Sequence, residues 1–223
     1  MLTTNLKLKK MNDKYIGMGL SLSPHYTSGK NVCASSTPEC RKYCINWSGN
    51  GFYGSVQTAR LKKTKLFHQN RTLFLRGLHG SIEQNIGRAT RQGKQLAVRL
   101  NVFSDIMWEK IDKSLFDYPI QFYDYTKHVK RYQRWLDGNL PDNYHLCFSR
   151  SERNDKESEQ FLALGGQVNY VFHDIPTYHL GYKVIDGDEH DFRWLDGPGI
   201  IGVKSKGRLR GKTSNFVSLE SLK

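Results

Sequence analysis

The run Leu96-Ala-Val-Arg-Leu-Asn-Val-Phe103 opens a series of short apolar segments whose order along the chain decides the fold. It is short and rich in apolar side chains, which suits a buried strand. Five further runs follow at residues 120–125 (IQFYDY), 144–149 (YHLCFS), 168–172 (VNYVF), 182–185 (YKVI) and 200–203 (IIGV). Helix-compatible stretches separate most of them, at 106–116, 127–136 and 151–164, the last ending in Gly165-Gly166. Upstream, residues 15–23 (YIGMGLSLS) read as a first strand. From Tyr53 the pattern turns helical through Val56, Ala59, Leu66 and Phe67. A clearer helix then places Leu75, Leu78, Ile82 and Ile86 in one stripe, with Gly93 as its stop. Strand and helix alternate, so parallel βαβ units are expected. The prediction is an α/β fold of about seven strands, a complete or partial TIM-like (β/α) barrel with a cysteine loop after the first strand.

That loop is Cys33-Ala-Ser-Ser-Thr-Pro-Glu-Cys40-Arg-Lys-Tyr-Cys44, which holds three of the four cysteines of the chain. Clustered thiols in a protein without disulfides serve as metal ligands, for zinc or for an iron–sulfur cluster. Zinc modules usually offer two close cysteine pairs, and no second pair follows here. Cys33, Cys40 and Cys44 are therefore expected to bind an iron–sulfur cluster of the [4Fe–4S] kind, with zinc as the alternative. The fourth position would be open, or filled by Cys147, His25, His145 or His173. Cys147 sits in the middle of a strand pattern and reads as a buried structural thiol.

The 223 residues are expected to form one domain, with 1–14 and 207–223 as basic terminal extensions. No apolar run approaches a bilayer span and no secretory signal is apparent, so a cytoplasmic protein without a membrane partner is expected. The net charge of +13 favours a polyanionic partner, nucleic acid above all. The densest basic segment, Lys204-Ser-Lys-Gly-Arg-Leu-Arg-Gly-Lys212, is the best candidate to meet it.

In parallel α/β folds the chemistry gathers at the carboxyl ends of the strands. There the sequence offers Asn101, Ser104, Asp105 and Lys204 as cofactor- or ligand-binding candidates, with Thr126, Lys127, Ser149 and Arg150 beside them. Ser104 and Asp105 also suit the N-cap of a helix over 106–116. Asp186, Asp188, Glu189 and Asp191 surround Gly187 and read as a solvated acidic turn. No glycine-rich phosphate fingerprint is present.

Four motifs together resemble a family of phage proteins, the gene product eighty-eight-like family. They are Cys33…Cys40-Arg41-x-x-Cys44, Arg99-Leu100-Asn101-x-x-Ser104-Asp105, the step 123–127 (YDYTK), and 186–193 (DGDEHDFR) followed by 202–207 (GVKSKG). The resemblance implies a phage origin, action in the cytoplasm of the infected host cell, a cysteine-ligated metal site and a core similar to radical S-adenosylmethionine enzymes. Those enzymes usually carry C-x3-C-x2-C, whereas this loop is C-x6-C-x3-C. A wider loop can still converge three sulfurs, so the resemblance implies cluster binding and redox or radical chemistry despite this departure, which bears on S-adenosylmethionine as the candidate co-substrate. The competing expectation is a basic nucleic-acid-binding protein whose metal site is structural.

Overall fold

Alternating apolar runs build one sheet of eight strands in the computed structural model, which describes residues 1–4, 8 and 13–218. The strands are β1 (Tyr15–Gly19), β2 (Gln95–Arg99), β3 (Gln121–Thr126), β4 (Tyr144–Ser149), β5 (Gln167–Phe172), β6 (Tyr178–His179), β7 (Tyr182–Asp186) and β8 (Gly199–Lys204). The helices are α1 (Pro38–Lys42), α2 (Gly54–Gln69), α3 (Arg71–Arg91), α4 (Trp108–Ile111), α5 (Val129–Leu136) and α6 (Asp155–Ala163). Parts of the two expected basic extensions, residues 5–7, 9–12 and 219–223, lie outside the described residues.

The spatial order is β1-β2-β3-β4-β5-β8-β7-β6. Every neighbouring pair is parallel except β6–β7, a hairpin closed by Leu180 and Gly181. Both turn residues have positive φ, +50° and +80°, as a two-residue hairpin turn that follows strand twist requires. Of the complete or partial barrel expected, the closed form does not appear. β8 pairs with β5 on one side and with β7 on the other, so it has no edge left to offer β1. The outer edge of β1 is met instead by Thr3, whose N–H and C=O both bond to Gly19. The sheet is open, mixed and mostly parallel.

The side-chain alternation of the strands sends two different surfaces to its two faces. On one face Leu96, Val98, Phe122, Leu146, Phe148, Val168, Phe172 and Ile200 pack in a single buried cluster with residues from the helices. Phe67 comes from α2, Phe74, Leu78 and Ile82 from α3, Tyr132 from α5, and Phe161 from α6. Each such side chain contributes about 1.5–3 kcal/mol when fully buried. α3 starts where Asn70 accepts the Leu73 N–H and stops just before Gly93, which has φ +64°. The other face carries a smaller cluster, Leu8, Ala97, Tyr123 and Phe192, flanked by Tyr15 and Trp194.

The acidic turn after β7 is not solvated throughout. Asp191 is buried, accepts from both Arg99 Nη1 (3.1 Å) and the Tyr123 hydroxyl (3.1 Å), and anchors residues 190–196 across that second face. Burying a carboxylate is tolerated here because the guanidinium and the phenol replace the lost water.

Candidate functional site

Side chains from the carboxyl ends of β2, β3, β4, β5 and β8 converge with the cysteine loop on one cavity of about 280 Å³. That volume stands at the small end of the usual range for small-molecule sites. Cys33, Cys40 and Cys44 form part of its wall, opposite residues that include Tyr125, Lys127, Asn169 and Val203.

Local bonding explains why the loop holds its shape. Thr37 caps α1 by accepting the Cys40 N–H (3.3 Å), with Pro38 in the first helical turn where its missing donor costs nothing. Glu152, from the turn before α6, then clamps the loop by accepting Thr37 Oγ1 (2.8 Å) and Glu39 N (3.1 Å). Cys33 takes an N–H from His25 on its sulfur (3.2 Å) and donates its thiol to the Phe103 carbonyl (3.1 Å). His25 delivers that N–H from a left-handed backbone, φ +37°. Cys44 is followed by single 3-10 turns, Ile45–Trp47 and Gly49–Phe52. Arg60 and Gln57 of α2 both bind the Asn46 carbonyl and brace those turns. Gly51 is required by this close packing, since a Cβ there would stand 1.9 Å from the Asn46 carbonyl oxygen.

Burial pushes the Cys33 thiol up to about 12 and the Cys44 thiol to about 11. The opposing influences are backbone N–H bonds from His25 and Asn46 to the two sulfurs, and for Cys44 the charges of Lys127 and Arg60. Among the described residues no three His, Cys, Asp or Glu side chains are grouped so as to hold one metal ion.

Asn101, Ser104, Asp105 and Lys204 all line the same cavity, as the strand-end rule predicts. Three of them are bound up in holding the scaffold. Asn101 Oδ1 accepts from Ser104 Oγ (2.8 Å), Ile106 N (2.9 Å) and Trp108 Nε1 (3.2 Å), while its Nδ2 donates to Asp124 (2.9 Å) and the Ile106 carbonyl (3.0 Å). Asp105 accepts from Thr126 Oγ1 (2.8 Å), Lys127 N (3.0 Å) and Arg131 Nη1 (3.3 Å). Neither Ser104 nor Asp105 caps a helix over 106–116. These bonds pull the segment in toward β3, and only the short α4 and a 3-10 turn at Lys113–Asp117 remain of that helix. Lys204 is the candidate with a half-exposed head, 3.5 Å from Asp174.

Lys127 brings a positive charge to the cavity beside Arg99, Lys204 and Lys206, and its Nζ donates to Ser149 Oγ at 2.7 Å. Cys147 is buried and is not among the lining residues, nor are His145 and His173. Residues 204–218 form the far wall. Ser205 and Ser218 donate backbone N–H groups to the Phe172 and Val171 carbonyls, and Arg150 holds the Asn215 carbonyl at 2.6 Å. Leu209 and Phe216 thereby close over the cavity, so 207–218 is a packed wall and not a free extension. Sequence reasoning missed this because charge dominates the segment, and only Leu209, Phe216 and Val217 hint at packing.

An open, mostly parallel α/β sheet with a cysteine-walled cavity at its carboxyl ends defines the class of this protein. No helix among the described residues is long and apolar enough to cross a membrane. The chain belongs to the Gene product 88 family of phage proteins, whose family model matches residues 1–218. No curated protein and no solved structure matches it. The second part of the resemblance, a core like that of radical S-adenosylmethionine enzymes, finds no support in these comparisons.

Proposed function

We propose that Cys33, Cys40 and Cys44 hold an iron–sulfur cluster at the cavity, and that the protein performs redox or radical-type chemistry on a small molecule bound there. The observation that carries this is the placement of three thiols, from twelve residues of chain, on the wall of one strand-end cavity. A single zinc ion would need sulfurs about 3.8 Å apart, the edge of a tetrahedron with 2.3 Å bonds. A cluster binds each thiolate through a different iron, so the thiols need to face a common space and not a common point.

Backbone N–H bonds to Cys33 and Cys44 supply what a thiolate-ligated cluster needs around its sulfurs, and such bonds tune its potential. Arg60 and Lys127 favour the anionic form of Cys44. A bound cluster would supply one-electron transfer. Lys127 and Lys204 would orient an anionic substrate group, while Asn101, Ser104 and Asp105 keep the cavity floor in place. S-adenosylmethionine is the candidate co-substrate, and reductive cleavage by the reduced protein is the assay for it.

The test is anaerobic purification with iron, sulfide and zinc analysis and electron paramagnetic resonance. About four irons and four sulfides per chain are expected for a [4Fe–4S] cluster, lost in Cys40→Ser and retained in Cys147→Ser. Zinc alone, or iron content indifferent to Cys40→Ser, would remove the redox function.

A further inference from the structure

We propose that the rim of this cavity binds single-stranded nucleic acid. The proposal goes beyond the cluster and does not depend on it. Residues 41–60 and 204–218 together hold eight Lys and Arg and no Asp or Glu. These thirty-five residues therefore carry eight of the thirteen net positive charges, while the other 188 share five. The fold brings the two segments together. Gly207 sits against Ser48, the Arg208 guanidinium lies 5.9 Å from the Trp47 ring centre, and Ile45, Lys204 and Lys206 all line the cavity.

Neighbouring carboxylates answer only some of these cations. Glu39 lies 3.7 Å from Lys42, Asp174 3.5 Å from Lys204, and Asp188 2.5 Å from Lys206. Arg60 is engaged with Asn46 and the Phe103 ring. Among the described residues, no carboxylate pairs with Arg41, Arg208, Arg210 or Lys212. A chain of phosphates is the partner whose charge complements such a row.

The turn Gly49–Phe52, within the same basic stretch 41–60, brings flat apolar faces. Phe52 and Tyr53, at the start of α2, are 69% and 65% exposed, so neither ring is used in the core. Duplex nucleic acid offers phosphates but keeps its base faces stacked inside. A single strand offers both, and exposed rings between cations are how such strands are held.

The experiment measures fluorescence anisotropy of a labelled oligothymidine of about 20 nucleotides, and of the matching duplex, between about 50 and 200 mM salt. The expected result is single-strand binding that weakens steeply with salt. The variant R208Q/R210Q/K212Q should lower the slope of log K against log salt by about 2, since each single-strand phosphate contact contributes about 0.7. Phe52→Ala and Tyr53→Ala should each weaken binding at least about fivefold. Lys156→Gln, exposed on α6, should change nothing. All six positions are on the surface, and melting curves on the same samples verify folding. Binding of duplex as tightly as single strand, indifference to both ring substitutions, or no salt-dependent binding at all would overturn the proposal. Iron content measured on the same samples separates the two functions: metal-free, folded protein that still binds the oligonucleotide supports the rim whatever becomes of the cluster.

Discussion

Replacing Asn101 with alanine tests whether this cavity-lining residue is a scaffold strut. Asn101 is buried and its side chain makes five hydrogen bonds, to Ser104, Ile106 N–H, the Ile106 carbonyl, Trp108 and Asp124. Asp124 keeps other donors, Tyr144 OH at 2.5 Å and the backbone N–H of residue 101 at 2.6 Å, so its loss is partial. The Trp108 indole N–H is fully buried and would have no acceptor, and the Ile106 N–H would lose its own. Each buried donor left unsatisfied costs about 1–3 kcal/mol, so the two together cost about 2–6 kcal/mol. For a chain of this size that lowers Tm by about 4–24 °C. The assay is urea denaturation followed by fluorescence and calorimetry. Asn101→Asp sharpens the test, because it keeps the three acceptor bonds but sets a second carboxylate against Asp124. One of the two must then hold a proton, so the variant should lose more stability at pH 8 than at pH 5. A loss below about 1 kcal/mol for the alanine variant would refute the strut.

Arg131→Met should cost about 3–5 kcal/mol in urea denaturation. The side chain is completely buried against Glu109 (2.9 Å) and Asp105 (3.3 Å), and its removal strands two carboxylates. A neutral result would show that those acids reach water. Asp124 should contribute stability that is lost as pH rises from about 4 to about 6, against the opposite contribution of histidines such as His145, whose burial lowers their pKa. Burial raises the Asp124 carboxyl from 3.8 to about 6, so the unfolded chain releases that proton first and the folded form is favoured at the acid end. That contribution is up to about 3 kcal/mol, read as the difference in urea midpoint between wild type and Asp124→Asn, which should shrink as pH rises through this window.

Much of the sheet was legible in the sequence because a strand buried on both faces has to be apolar over most of its length. β4 coincides with the run 144–149, and β3, β5, β7 and β8 differ from their runs by a residue or so at an end. β6 was not legible, being two residues long and set by a turn at Leu180-Gly181. The helix expected over 106–116 failed for a related reason. Its local pattern favours a helix, but Asp105 and Asn101 gain more from long-range partners at Thr126, Arg131 and Asp124.

The sequence by itself determined that strands and helices alternate, that three thiols share one loop, and that chemistry-bearing residues follow the strands. These depend on residue type and local spacing, which the chain carries openly. Only the tertiary structure decided that the sheet stays open, since closure depends on which strand takes the free edge of β5, and β8 takes it and then pairs with β7. It also decided that Asn101 and Asp105 brace the cavity, that Asp191 is buried beneath the sheet, and that the basic carboxyl-terminal segment is a wall. A polar side chain looks the same in sequence whether it faces a ligand or a neighbouring strand. Partners such as Asp124 for Asn101, Arg131 for Asp105 and Arg99 for Asp191 lie far off along the chain, and hydrogen bonds that long-range leave no periodic trace in the sequence.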